Sequence, residues 1–384
     1  MLPRRFPRFL ACAALAAAVT AAAADDGSDT EDLSPSQPYS AVRSDPLEHD
    51  VEFVVIVTPP YHCQSLDVWI PVPQSDQAQE IANSQFSTFP VETAAQIGNE
   101  PIYNNRFAYF HFDHPQGAQI IRHQFQAKVW TLEWNLDAEK TTRPTRWPDR
   151  FDPYRRPQPV DDEQQLQTLL QSIVPERTEP GNELRNVMNW VDQNMTYDHV
   201  HASLSADANH ALAERRGHCS DYHGLCATMG RMLGYPAQVT YGLSLFPKNS
   251  PSHCKLEAFL PPYGWVSYDV SETQKLVQKI RNDEQLSSQQ KAVLTSAARN
   301  RMQSGFRENS WLLLTRGSDY QLIPKSKNPV RVVRTAWIEA DGEPLPEPDP
   351  ANPEQRQFAW MTAHRYTSDK PVQSPFADYT TLEE

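Results

Sequence analysis

The spacing of apolar residues changes near residue 160, from strand alternation to helical period, and that change limits what the chain can fold into. Before it, Val51–Val57 (VEFVVIV), Leu66–Val72 (LDVWIPV), Arg106–Phe112 (RFAYFHF) and Ile120–Leu132 read as strands, with Pro and Asn between them. Alternation puts every second side chain on one face, and several such strands in a row predict a β-sandwich of about a hundred residues. After it, Leu166, Leu169, Leu170 and Ile173 recur at helical spacing, as do Leu184, Val187, Met188 and Val191 behind Pro180-Gly181-Asn182. A short helix is expected over Asp207–Arg215, with Asp207 as its cap. A longer one is expected from Cys219 to Leu233, stopped by Gly234-Tyr235-Pro236. Strands follow at Ala237–Leu243, His253–Leu260 and Trp265–Val270, then a polar helical stretch over 274–304 and late strands at Trp311–Leu314 and Val330–Ile338. The fold class is therefore α+β. A sandwich over 49–140 precedes a helix-and-sheet domain over 164–340. A Pro/Arg-rich linker (141–163) that wraps rather than folds lies between them, and a Pro-rich tail (341–384) follows.

The N-terminus reads as an address. Arg4, Arg5 and Arg8 precede an Ala-dominated apolar run, and Ala22 and Ala24 satisfy the small-x-small rule before Asp25. Residues 1–24 are thus expected to be a signal peptide, removed from a periplasmic or secreted protein. The run is too short and too weakly apolar for a span, so no stable membrane insertion is expected after cleavage. Residues 25–48 are acidic and rich in Ser and Pro, and are expected to be a disordered linker. The net charge is −13. That argues against nucleic acid as a partner, because phosphate neutralisation needs a basic patch. Pro outnumbers Gly by 33 to 13, so connections should be stiff and extended.

Four cysteines remain beyond the signal: Cys63, Cys219, Cys226 and Cys254. They permit two disulfides in three ways, yet a chain this long has no need of such staples. Free thiols in an oxidising compartment then need another reason, catalysis among them. Cys219 stands at a helix start, where free N–H groups and the helix dipole favour thiolate. Cys226 falls on the apolar face and reads as a buried structural thiol. A turn centred on residue 261 would set His253 directly opposite Asp269, on one face of a hairpin. That is the reach an Asp needs to hold an imidazole by one nitrogen while the other faces a sulfur. By alternation, Lys255 and Glu257 share the His253 face, while Cys254, Leu256 and Ala258 point the other way.

These segments resemble the transglutaminase-like superfamily in its bacterial secreted form. The resemblance rests on Gly217-His218-Cys219, Arg231-Met232-Leu233-Gly234-Tyr235-Pro236-Ala237, His253, and Gly264-Trp265-Val266-Ser267-Tyr268-Asp269. Trp190 and Tyr197-Asp198 fit the usual lead-in, the WIPVP segment (69–73) is similar to the β-domain that often precedes this core, and Gly317–Pro324 resembles the closing strand. The resemblance implies a papain-like core, with a helix-borne Cys packed on an antiparallel sheet. It also implies a thiol mechanism with Cys219 as nucleophile, His253 as base and then acid, and Asp269 as the orienting carboxylate. The implied reaction is acyl transfer from a Gln side-chain or peptide amide, with water slightly favoured over an amine as acceptor. The implied partner is a protein or peptide, cell-wall peptide included, with no cofactor. Three positions depart from the family pattern: Lys255 where an aromatic is common, His218 where Asp is common, and Gln238 where Arg is common.

Two other readings stand beside this one. His199, His201, His210, His218 and His223 lie near the cysteines, but no pair has the spacing of a structural zinc site. No EF-hand-like loop calls for calcium. The alternative function is a non-catalytic cell-envelope module that binds protein or peptide on the same fold.

Overall fold

The computed structural model describes residues 33–356 and 358–382, so the expected signal peptide lies outside the described residues. The strand-rich part is a sandwich of two antiparallel sheets. In one, Val42–Val57 lies between Gln119–Glu133 and Trp360–Ser368, and Gln79–Phe89 and Phe306–Arg307 pair with Gln119–Glu133. In the other, Ser65–Val72 lies between Arg106–Asp113 and Trp337–Ala340, with Gln96–Asn99 and Glu343–Pro344 at the edges. Inward residues of both sheets, among them Val55, Val57, Leu66, Val68, Phe110 and Ile121, form a sealed core. Their alternation with outward polar residues is what fixes the register.

The second part is a four-stranded antiparallel sheet, in the order Trp265–Tyr268, Ser252–Phe259, Ala237–Ser244, Trp311–Arg316. The helix Cys219–Met232 packs against it, with helices Glu163–Ile173, Pro180–Asn194, Ala208–Glu214 and Val270–Asn282 around it. Every residue of Ser252–Phe259 is buried. Leu256 and Ala258 join the core beneath the cysteine helix, while the polar face finds partners one by one. Glu257 accepts from the Tyr39 hydroxyl at 2.7 Å and from Gln238 at 2.9 Å. A buried polar face persists only where each group is satisfied in this way.

Several expected boundaries change. Residues 33–48 are not a disordered linker: the first strand begins at Val42, Tyr39 is buried, and Trp265 donates its indole N–H to the Pro35 carbonyl at 2.8 Å. A polar segment is ordered here because it lies over the four-stranded sheet and closes buried donors and acceptors, which composition does not reveal. Nor is 341–384 a tail. Trp360–Ser368 (WMTAHRYTS) pairs with His49–Val57 and seats Trp360 in the sandwich core. It is an edge strand with one exposed face, so its sequence carries only a weak apolar signal. Phe306–Arg307 and Trp337–Ala340 also belong to the sandwich, so the two parts interleave and 164–340 is not a contiguous second domain. The segment 141–163, expected to wrap rather than fold, buries Trp147, Phe151 and Tyr154 and includes helical turns at Asp149–Phe151 and Asp152–Arg155. The sheet closes on Trp311–Arg316, not on Gly317–Pro324, where only an isolated bridge joins Tyr320 to Val330.

Candidate active site

The cysteine helix begins where two chain segments hold its first residue in place. Thr196–Tyr197 runs parallel to Arg216–Gly217, and the Asp198 N–H donates to the Gly217 carbonyl at 2.8 Å. His218 is the cap: its Nδ1 accepts from the Ser220 N–H at 3.2 Å, while Asp221 reaches back to the His218 N–H at 3.0 Å. This reciprocal box satisfies two of the helix's free donors. It also explains Gly217, whose φ is +151° and where a Cβ would lie 2.3 Å from Asp221 Oδ2. The departure at His218 is thus a capping residue. Burial keeps its imidazole neutral, well below the usual range.

Cys219 sits at the first helical position and is 6% exposed. The Cys254 N–H donates to its sulfur at 3.4 Å. The strand Trp265–Tyr268 pairs only with Leu256–Phe259, so no strand residue lies opposite Cys254 on that side. The sulfur also contacts the His253 imidazole. Burial pushes against both ions, but each partner favours the other's charge. The thiol is drawn down to about 7, helped by the Cys254 N–H and by Arg334, and the imidazole is raised to about 9. With the thiol below the imidazole, the pair favours thiolate and imidazolium between those values.

Asp269 caps the next helix and divides its oxygens between two tasks. Oδ1 accepts from the Glu272 N–H at 3.0 Å and the Ser271 hydroxyl at 3.1 Å. Oδ2 lies 2.6 Å from His253 Nε2 and 2.7 Å from Lys255 Nζ. Burial opposes its charge, yet Lys255 and His253 hold the carboxyl well below its usual range. With Nε2 engaged, His253 Nδ1 is the nitrogen left for the sulfur, and Glu272 Oε1 stands 3.8 Å from it. Trp311 donates to the His253 carbonyl at 3.2 Å and fixes the backbone. His223 Nε2 accepts from the Val270 N–H at 3.0 Å and steadies the start of the Asp269 helix.

The structure therefore brings Cys219, His253 and Asp269 together, but not by the expected register. The hairpin pairs Leu256 with Tyr268 and Phe259 with Trp265, so its turn centres on residue 262. Continued outward, that register sets Asp269 opposite Lys255, with His253 on the diagonal. The displacement is two positions along the facing strand, which preserves the face, and a diagonal neighbour remains within reach. Lys255 is the residue whose importance the sequence understated. It is fully buried, and its ammonium bridges Asp269 and, at 2.9 Å, Glu308 Oε2. Glu308 carries no local signal, since it lies in the short turn between Phe306–Arg307 and Trp311–Arg316.

All four described cysteines are free and buried. Burial pushes the Cys226 and Cys254 thiols up, so they stay protonated. The histidines near Cys219 have separate partners. His199 meets Asp349 at 3.2 Å, His201 meets Asp198 at 2.7 Å, and His210 meets the His201 carbonyl at 2.6 Å. Among the described residues no group of three His, Cys, Asp or Glu side chains is arranged to hold a metal ion, and no helix is long and apolar enough to cross a membrane.

Residues 167–270 match the family profile described as the transglutaminase-like superfamily. The chain carries a transglutaminase-like core. The match spans the cysteine helix, the histidine strand and Asp269. An uncharacterized protein of Haemophilus influenzae is 20% identical, over 74% of this chain and 83% of its own length. A solved structure from Cytophaga hutchinsonii, described as a candidate cysteine protease, superposes with a TM-score of 0.57 at 13% identity, over 88% of this chain and 95% of that one. At that identity the likeness is one of fold: an α+β, papain-like core with a strand-rich N-terminal part. The family match and the fold thus agree on a transglutaminase-like core.

Proposed function

We propose that the protein is a thiol enzyme that opens amide bonds through a Cys219 thioester, passing the acyl group to water in preference to an amine. The observation that carries this reading is the placement of the Cys219 sulfur and the His253 imidazole where each favours the other's charge, with Asp269 holding the far side of that imidazole at 2.6 Å from Nε2. In the proposed cycle His253 Nδ1 takes the Cys219 proton, and the thiolate attacks the carbonyl of a Gln side chain or peptide bond. The Cys219 N–H, at the first helical position with no intrahelical acceptor, stabilises the oxyanion. The imidazolium then gives its proton to the departing amine, leaving the acyl group on sulfur. Water attacks the thioester with His253 as base, and the acid and free thiol are restored.

The expected address sequence at residues 1–24 supports a periplasmic or secreted location, and hence an envelope protein or peptide, including cell-wall peptide, as substrate. The burial of Cys219 and His253 implies that substrate enters by displacing part of the surrounding loops, as closing sites commonly require. Iodoacetamide labelling from pH 4 to 9, read by peptide mass spectrometry, tests the reading without a known substrate. Selective modification of Cys219 near neutral pH, lost in His253→Ala, is the expected result. Slow, equal labelling of all four cysteines would overturn it in favour of a binding module.

A further inference from the structure

The reaction proposed above leaves Lys255 and Glu308 without a task, yet both are buried charges beside it. Lys255 is 0% exposed and Glu308 4%. An ammonium withdrawn from water is costly unless it is paired, and apolar residues of similar size commonly fill such sites at no loss of stability. Its neighbours are Trp311 and Phe376, whose ring centroids lie 5.4 and 5.2 Å from Nζ. A lysine here is charged only because Asp269 and Glu308 more than offset the effect of burial. The outcome is one carboxylate oxygen, Asp269 Oδ2, shared by two cations: His253 at 2.6 Å and Lys255 at 2.7 Å.

We propose that Lys255 is a positioning residue of this site, which with Glu308 anchors Asp269 and sets the charge felt by the Cys219–His253 pair. The inference rests on the thiol-enzyme reading. Lys255 adds a positive charge within a few ångströms of His253, which favours the thiolate and limits the hold of Asp269 on the imidazolium. Glu308 moderates that charge from the far side. Other charged or titratable groups face the pair and are held constant in the comparison. Glu272 lies by His253 Nδ1 with Lys248 and Lys275 upon it, at 3.3 and 2.9 Å. His223 packs across the His253 ring, His218 adjoins both residues, Arg334 acts on Cys219, and Arg301 acts on Glu308.

The signature of an electrostatic role is that the two partners act with opposite sign. Lys255→Met removes a positive charge, so thiolate should form later: the onset of Cys219 alkylation should move toward alkaline pH by about one unit. Glu308→Gln removes one of the two carboxylates on Lys255 and leaves more of its positive charge to act on the pair, so the onset should move toward acid pH. The double variant should fall between the two. A merely structural role would shift both singles the same way, or neither, and would overturn the inference. If Lys255→Met does not fold, Glu308→Gln decides: an acid shift supports the inference, and no shift or an alkaline one defeats it. If wild-type Cys219 shows no selective alkylation at all, it is the thiol-enzyme reading that fails. A reactive but unshifted Cys219 defeats only the role of Lys255.

Discussion

Replacing Asp269 by Asn keeps the shape of the site and removes the charge on which it depends. His253 lies buried, so without a counter-ion its imidazole would titrate below its ordinary value of 6.5; with Asp269 and Cys219 it stands at about 9. Losing most of that elevation, roughly two units or more, corresponds to ~3 kcal/mol of support for the imidazolium. The thiolate–imidazolium state near pH 7.5 should fall by about two orders of magnitude, and turnover with it. The same change takes from the buried Lys255 ammonium one of its two carboxylate partners, a loss expected to cost on the order of 3 kcal/mol of stability. The assay is the pH dependence of Cys219 alkylation alongside a thermal melt. In the variant, the rise near pH 7 should vanish and alkylation should begin only as the thiol itself ionises, above pH 8. Retention of the neutral-pH rise in a folded Asp269→Asn protein would refute the reasoning, because the hydrogen bond at 2.6 Å would then carry no charge coupling.

Three further outcomes are expected away from this chain of groups. His123 is buried, stacks on Phe86 at 4.0 Å and is held neutral down to about 3, so the unfolded chain takes up its proton first. Stability should therefore fall as pH drops below 6.5, and His123→Phe should lessen that fall by up to a few kcal/mol in urea titrations at pH 4, with little change at pH 8. Trp360→Ala should cost about 3–5 kcal/mol in the same titrations, since Trp360 is 2% exposed within the sandwich core; a tail residue would cost nothing. Tyr39→Phe removes the donor to Glu257 and the acceptor for Arg316 at 3.0 Å, and should lower stability by about 1–3 kcal/mol, measured by the shift in denaturant midpoint.

Much of the site was legible because its parts are local. The periodicity of Tyr222, Leu225, Cys226 and Met229 marks a helix, the flanking Gly217 marks its start, and alternation puts His253 and Lys255 on one face. Face assignment survives a misplaced turn, provided the error is even, and so His253 and Asp269 still meet although the register, continued past Tyr268, would set Asp269 opposite Lys255. The sandwich strands with strong alternation were legible for the same reason. Gln79–Phe89 and Gln96–Asn99 were not, since their exposed, polar surfaces weaken the alternating pattern.

What sequence alone determined, then, is everything that depends on a repeat of two or 3.6 residues: element type, buried face, and which chemical groups a face presents. What the tertiary structure decided is which distant segments meet. Tyr39 closes on Glu257, Trp360–Ser368 completes a sheet begun at residue 42, and Glu308 comes to Lys255 across 53 positions of chain. Such pairings are set by the burial of whole surfaces and by the need of each buried charge for a partner. No short window of residues contains either quantity.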